Sequence, residues 1–284
     1  MIIKDDRSAI IFFFSGTGNT WWVAEEFSKQ LSEKGLATKA YSIETVSQQE
    51  INELIKSSTI TGFAYPVHAS DLPRPMIKFL RSLPEETGKK TFIICTQWIW
   101  SGDGAAVGAS FLKDKGYDVL WGEHVLMPNN VAVSVIRLPY TNDPAKLKPV
   151  LKRAGRRLDR FADKIISGKV SRHGFNPVSR FLGSMQRVPY RLVYRRLQND
   201  IAVDHTVCID CGQCVRLCPV NNIVCSEGEY LTRGNCIICL RCYNACPVAA
   251  ITYMKRRHNL KRGQPYRGPV KEFKPGMLVG NIEE

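Results

Sequence analysis

The chain has 284 residues, 44% hydrophobic and 23% charged, with ten cysteines and a formal net charge of +14. That length suits roughly two domains, each able to bury a core without staples. A composition near the globular average excludes disordered, collagenous and coiled-coil chains. The longest apolar run, Ala9–Phe14, is strand length and well short of the ~18 residues of a membrane span.

The opening MIIKDDRSAIIFFF carries acids where a secretory signal would be basic, and no small-residue cleavage site follows. A cytoplasmic setting is therefore expected, with the cysteines serving as thiols and not as a disulfide framework. Charge is segregated along the chain. Residues 1–145 sum to −2, residues 146–196 to +13 with 15 basic and two acidic side chains, residues 197–254 to −2, and residues 255–274 to +7. Nine of the ten cysteines fall between Cys208 and Cys246.

Ser8–Phe14 reads as a buried strand, and Thr20–Leu31 as a helix with Val23, Ala24, Phe27 and Leu31 on one face and Gly35 as its stop. The alternation continues with strands at Ala37–Ile43, Thr59–Ala64, Thr91–Cys95 and Val119–Met127. Helices are expected near Gln48–Lys56, Arg74–Leu83 and Ala105–Lys115. Asn142-Asp143-Pro144 opens a further helix. Five strands alternating with helices predict an α/β domain with a doubly wound parallel sheet, which binds ligands at the carboxyl ends of its strands.

The first such loop is Ser15-Gly16-Thr17-Gly18-Asn19-Thr20. Its glycines allow close backbone approach to an anion, and the helix N-terminus supplies N–H groups. It has neither a Walker lysine nor the GxGxxG spacing, so one terminal phosphate suits it better than a triphosphate with magnesium. The motif resembles the FMN phosphate loop of flavodoxins, and the similarity extends over roughly residues 8–165. The resemblance implies a flavodoxin-like five-stranded fold binding FMN. It places the ring between Tyr65, Pro66, Val67 and His68 on one side and the Thr96–Gly104 loop on the other. In that second loop Thr96, Gln97, Trp98, Trp100, Gly102 and Gly104 are the candidates, with Trp98 preferred over Trp100 for stacking. His68 is a candidate proton donor. The first ring loop departs from the family in lacking a flexible glycine, and Pro66 stiffens it. A strongly stabilised one-electron flavin radical is therefore not expected. Cys95 is read as a packing residue.

From Leu147 to Ile166 the apolar residues form one stripe, predicting an amphipathic helix that ends at Gly168, with Pro149 marking a kink or a later start. Residues 169–200 mix aromatic and aliphatic side chains with arginines and are expected to pack between domains. Basic residues among aromatics also suit nucleic acid or an anionic membrane surface. No nucleic-acid motif accompanies them, and an electron-transfer module explains the chain without either. Steering of an acidic ferredoxin, another redox protein or an anionic small-molecule substrate is the expected use.

Two motifs of the form CxxCxxCxxxCP follow, Cys208-Cys211-Cys214-Cys218-Pro219 and Cys236-Cys239-Cys242-Cys246-Pro247, an internal repeat with an offset of 28 residues. Zinc needs only four ligands, usually as two separated pairs, and does not call for this run twice. The repeat resembles bacterial two-cluster ferredoxins over about residues 202–254, which implies a small α+β domain with two [4Fe-4S] clusters. The resemblance assigns Cys208, Cys211, Cys214 and Cys246 to one cluster and Cys236, Cys239, Cys242 and Cys218 to the other. Cys225 lies outside the pattern and is expected to be a buried filler.

The whole chain resembles the EFR1 family ferrodoxins, fusions of a flavodoxin-like domain (here residues 1–168), a basic connector (169–200), a ferredoxin domain (201–254) and a basic tail (255–284). The resemblance implies an electron-transfer component moving low-potential electrons between clusters and FMN. The alternative is a ferredoxin-dependent FMN reductase acting on a small organic substrate.

Overall fold

Six consecutive residues, Ser8–Phe13, form strand β1, and five of them are buried. A strand buried on both faces reads as an unbroken apolar run, which is why Ala-Ile-Ile-Phe-Phe needs no polar alternation. The computed structural model describes residues 7–280. The first six residues and the closing Glu283 and Glu284, which entered the signal and charge arguments, lie outside them.

The described chain divides into two units. The first runs up to Met127, apart from Gly16–Gly18, and resumes over Val150–Arg187. After β1 come α1 (Asn19–Glu33), β2 (Ala37–Ser42), α2 (Gln48–Ser57), β3 (Ile60–Pro66), α3 (Arg74–Ser82), β4 (Lys89–Gln97), α4 (Gly104–Lys113), β5 (Tyr117–Leu126), α5 (Pro144–Ile166), β6 (Ser171–Arg172) and α6 (Pro177–Leu197). Ser47 and Glu50 close a capping box at the start of α2, each backbone N–H bonded to the other's side chain. Helix α5 runs through Pro149 without a later start.

The sheet is all parallel, in the order β2-β1-β3-β4-β5-β6. The sequence of its first five strands, 2-1-3-4-5, is the flavodoxin-like doubly wound order, with the chain reversing direction across the sheet between β1 and β3. To the five expected strands the structure adds β6, two residues long and paired with Trp121 and Gly122 of β5. Rings of Phe27, Phe92 and Phe161 pack at centroid distances of 5.4–6.4 Å between sheet, α1 and α5. On the other face Phe12 and Phe79 meet at 5.1 Å.

The second unit takes Gly16–Gly18, Pro128–Pro149 and the chain from Val188 onward. It contains β7 (Ile201–Val203), α7 (Gln213–Arg216), β8 (Ile223–Ser226), β9 (Glu229–Thr232), α8 (Arg241–Ala245), β10 (Ile251–Tyr253) and β11 (Arg256–Arg257). Strands β11, β10 and β7 form an antiparallel sheet, and β8 and β9 a hairpin. The 28-residue offset relates α7 to α8, β8 to β10 and β7 to β9, so this small α+β, ferredoxin-like unit is built from one supersecondary motif used twice.

These boundaries differ from the sequence reading in three places. Residues 128–149 go with the second unit because Ala132 and Val133 are buried in its cores. The described residues after 254 are basic but not a free tail. Tyr266, Phe273 and Leu278 are buried anchors, and His258 bonds the Ala132 carbonyl at 2.9 Å. The connector 169–200 is cut between Arg187 and Val188, within α6, where Phe181 and Leu192 are 65% and 79% exposed. Cys225 is exposed, not buried; the two-residue alternation of β8 turns it outward while Ile223 faces in.

Candidate functional site

The densest group of reactive side chains lies in the second unit. Cys218, Cys236, Cys239 and Cys242 line one cavity with Ile201, Pro219 and Leu240. Cys236, Cys239 and Cys242 come from the turn that enters α8, whereas Cys218 arrives from the far end of the first motif. Cys208, Cys211, Cys214 and Cys246 form a second group. Burial, opposed by a backbone hydrogen bond from Val215 and aided by Cys208, Cys211 and Cys246, pushes the Cys214 thiol up to about 11. Burial and the adjacent Cys239 push Cys236 up to about 12, and burial raises Cys242 further. Such a site disfavours lone thiolates, and cationic iron reverses that preference by binding the deprotonated sulfur.

Backbone geometry around the sulfurs is repeated too. Asp210 and Gly212 have φ of 53° and 68°, and their counterparts Ile238 and Leu240 have 55° and 58°. After each proline, Asn221 and Ala249 match at 49° and 54°. Left-handed conformation in a residue other than glycine costs about 1–2 kcal/mol and persists only where the surroundings over-determine it. Alternating conformations of this kind turn successive N–H groups into a concavity that favours an anion. Backbone N–H groups reach the sulfurs, from Asn222 to Cys218 at 3.1 Å, Ile238 to Cys236 at 3.3 Å and Ala250 to Cys246 at 3.1 Å, and from Asp210 to Cys208 and Val215 to Cys214. Among the described residues, no three His, Cys, Asp or Glu side chains stand close enough to hold a single metal ion.

At the end of β1, Ser15, Thr17, Asn19 and Thr20 are all at most 9% exposed, and α1 begins at Asn19. Gly18 has φ of 96°, a conformation that favours glycine. Within the second unit, Arg241 donates through Nε to the Gly16 carbonyl at 3.2 Å, and Asn130 to Thr17 Oγ1 at 2.7 Å. A Cβ on Gly16 would stand 2.7 Å from the Cys239 carbonyl oxygen. The glycine there has a packing reason beyond any ligand. Thr20 Oγ1 meets Thr96 Oγ1 at 2.7 Å, tying this loop to the end of β4.

The loops after β3 and β4 lie side by side in the first unit. Val67 N–H donates to the Thr96 carbonyl at 3.1 Å, and Gly102 N–H to Ser70 Oγ at 2.8 Å. His68 and Asp71 exchange both backbone hydrogen bonds across Ala69 and Ser70, whose φ values are 51° and 60°. Positive φ at both central residues is the pattern of a type I′ hairpin turn, normally made by Asn-Gly. The turn is held from outside by Arg187 of α6, which donates to the Ser70 carbonyl at 2.9 Å and bonds both oxygens of Asp103 at 2.7 and 3.2 Å. Close approach makes this possible, as a Cβ on Gly102 would lie 2.3 Å from the Gly183 nitrogen. Sequence reasoning missed this clamp because Ala-Ser carries no turn signal and Arg187 and Asp103 are 84 positions apart.

Tyr65 is fully buried, its hydroxyl donating to the Gly104 carbonyl at 3.0 Å, so its side chain is committed to α4. Cys95 is buried beside it, and burial raises its thiol well above the ordinary range. Pro66, Val67, His68 and Trp98 are half-buried, and Trp100 is 49% exposed. Desolvation, against the opposing charge of Asp71, lowers His68 to about 4. Gln97 Oε1 and Ser101 Oγ are buried without a hydrogen-bond partner. Such orphaned polar atoms are the groups a ring edge would satisfy.

A family described as "4Fe-4S binding domain" matches residues 201–224, which span β7, the first cysteine motif and the start of β8. The search of curated proteins gives no match. Among solved structures, a flavodoxin from the domain Archaea is 19% identical, covering 56% of this chain and 98% of its own, with a TM-score of 0.38. The flavodoxin of Streptococcus pneumonia TIGR4 is 18% identical over 57% and 99%, with a TM-score of 0.40. Two-electron reduced Megasphaera elsdenii flavodoxin is 20% identical over 55% and 98%, with a TM-score of 0.39. Sheet order, gathered cysteines and the 4Fe-4S match define an iron–sulfur electron-transfer protein containing a flavodoxin-like sheet.

Proposed function

We propose that the chain is an iron–sulfur flavoprotein of the EFR1 ferrodoxin kind, moving low-potential electrons between two [4Fe-4S] clusters and FMN in the cytoplasm. The observation that carries the reading is the cavity lined by Cys218, Cys236, Cys239 and Cys242, which joins the last cysteine of one motif to the first three of the other. On this reading Cys208, Cys211, Cys214 and Cys246 hold the second cluster. The phosphate of FMN sits at Ser15–Thr20, with its ring beside Pro66–His68 and Gln97–Gly104.

Bound there, the clusters supply one-electron steps and the flavin one- or two-electron steps. The protein's part is positioning. Cysteine thiolates fix the irons, and the N–H groups of Asn222, Ile238 and Ala250 stabilise charge on the sulfurs. Ser15, Thr17 and the start of α1 offer donors to a phosphate. Gln97 and Ser101 offer hydrogen bonds to the ring edge, and Arg187 holds the two ring loops in register. His68 is kept neutral at pH 7, so any proton it gives comes from a neutral imidazole.

Iron and flavin measured on one anaerobically prepared sample test the proposal. About eight irons and one FMN per chain are expected. Four irons, stoichiometric zinc or the absence of flavin would overturn it. A reductive titration followed by EPR then separates carrier from reductase. A large persistent flavin radical marks a one-electron carrier, while bleaching without it directs attention to a small-molecule substrate.

A further inference from the structure

Helix α6 carries an apolar row that stands exposed among the described residues. Val178, Phe181, Met185, Val188 and Leu192 are 66%, 65%, 59%, 56% and 79% exposed. Their 3-4-3-4 spacing puts them within ~80° of one another at about 100° per residue. They lie away from Gly183 and Gln186, which are turned inward. Single exposed apolar residues are ordinary, but a contiguous row about 20 Å long on one helix is not.

The charges beside the row say what covers it. Arg180 and Arg195 flank one side and Arg196 stands at the edge of the row, and all three are exposed. Residues 177–197 contain five arginines and no Asp or Glu. Pairing with a second copy would bring two sets of exposed arginines together, which costs stability. Nucleic acid would meet cations at the edges but apolar side chains at the centre. An anionic lipid surface satisfies both features, because the apolar row enters the acyl boundary while arginines reach up to phosphate headgroups.

We propose that α6 docks the protein onto anionic lipid surfaces, lying in the interface plane with Val178, Phe181, Met185, Val188 and Leu192 inserted. The argument is independent of the cofactors.

The test is co-sedimentation of the full chain, with its iron and flavin in place, with vesicles of phosphatidylcholine alone or mixed with phosphatidylglycerol. Binding is expected only to the mixed vesicles, and it should weaken as salt shortens the Debye length. Phe181→Glu and Leu192→Glu, both at solvent-facing positions, should each reduce binding at least about tenfold with visible spectrum and iron content unchanged. Arg195→Gln with Arg196→Gln should lower both affinity and salt sensitivity. No binding to mixed vesicles at low salt, or binding that the Glu variants leave intact, would overturn the proposal. So would a concentration-dependent dimer abolished by the Glu variants, which assigns the row to a second copy. Vesicle binding absent while the same variants slow reduction by an acidic ferredoxin would assign it to a protein partner.

Discussion

With its side chain only 5% exposed, Asp103 depends on Arg187 to balance its charge, and the same guanidinium pins the Ser70 carbonyl in the strained turn. Replacing Arg187 with Met would leave a buried carboxylate without its partner, a change that costs about 3–5 kcal/mol. Chemical denaturation should show that loss in the first unit, and with FMN bound as proposed its dissociation should accelerate because the loops after β3 and β4 lose their common tether. His124 makes a second prediction. It is 1% exposed, and its Nε2 accepts the Ala105 N–H at 3.2 Å while Nδ1 has no partner. Burial, then His173 and Arg157, lowers it to about 3. Between that value and an unfolded value of about 6.5, the unfolded chain binds a proton that the native state refuses, so stability falls as pH falls through this window. The contribution reaches about 1.4 kcal/mol per pH unit. His124→Gln keeps an acceptor for Ala105 and should flatten the slope between about pH 4 and 6 by up to one proton. An unchanged slope would mean that His124 is not the group responsible.

At the scale of elements, the outcome followed the strength of local signals. The strands and helices of the sheet were legible because burial on both faces makes Ala9–Phe13 and Phe92–Cys95 continuous apolar runs, while α2 announces itself by Ser47 and Glu50. Strand β6 was not legible, since two residues carry no periodicity and its pairing depends on β5. Nor was the path of residues 128–149 or 255–280, because few scattered apolar anchors such as Ala132 and Tyr266 reveal nothing of which core they join. In α6 the sequence displays both an apolar row and an inward face, and only the structure tells which one is covered. The cysteine repeat is the opposite case, its spacing pointing to 4Fe-4S binding, which the family match over residues 201–224 bears out for the first motif. The proposed crosswise ligation of two clusters gives the third prediction. Cys246→Ser should perturb the cluster held by Cys208, Cys211 and Cys214, with the cluster at Cys236, Cys239 and Cys242 retained, and Cys218→Ser should do the reverse. Iron near four per chain with two different residual EPR signals is the expected result. The same residual signal from both variants would refute crosswise ligation.

For the molecule as a whole, the two units draw stability from different sources. The first buries Phe12, Phe14, Phe27, Phe63, Phe92 and Phe161, all at most 1% exposed, between a six-stranded sheet and its helices. That core needs no cofactor. Apart from the ends of α5 and α6, the second has α-helices of four and five residues, and its strands run from two to four residues. Helices this short are not stable by themselves, and their surroundings include Cys236, Cys242 and Cys246 inside the hydrophobic cluster itself. If iron joins those cysteines, metal binding supplies folding free energy to this unit directly, as in small metal-dependent domains. Stripping iron with a chelator under anaerobic, reducing conditions should therefore abolish the cooperative melting of the second unit and leave that of the first. Calorimetry on holo and iron-free protein would show two transitions becoming one, with far-UV circular dichroism keeping most of its helical signal because α1 to α5 lie largely in the first unit. Persistence of the second transition without iron would mean that Ile201, Tyr230, Tyr243 and Ile251 suffice as a core. The thiols would then be held in place by the fold and not the fold by the thiols.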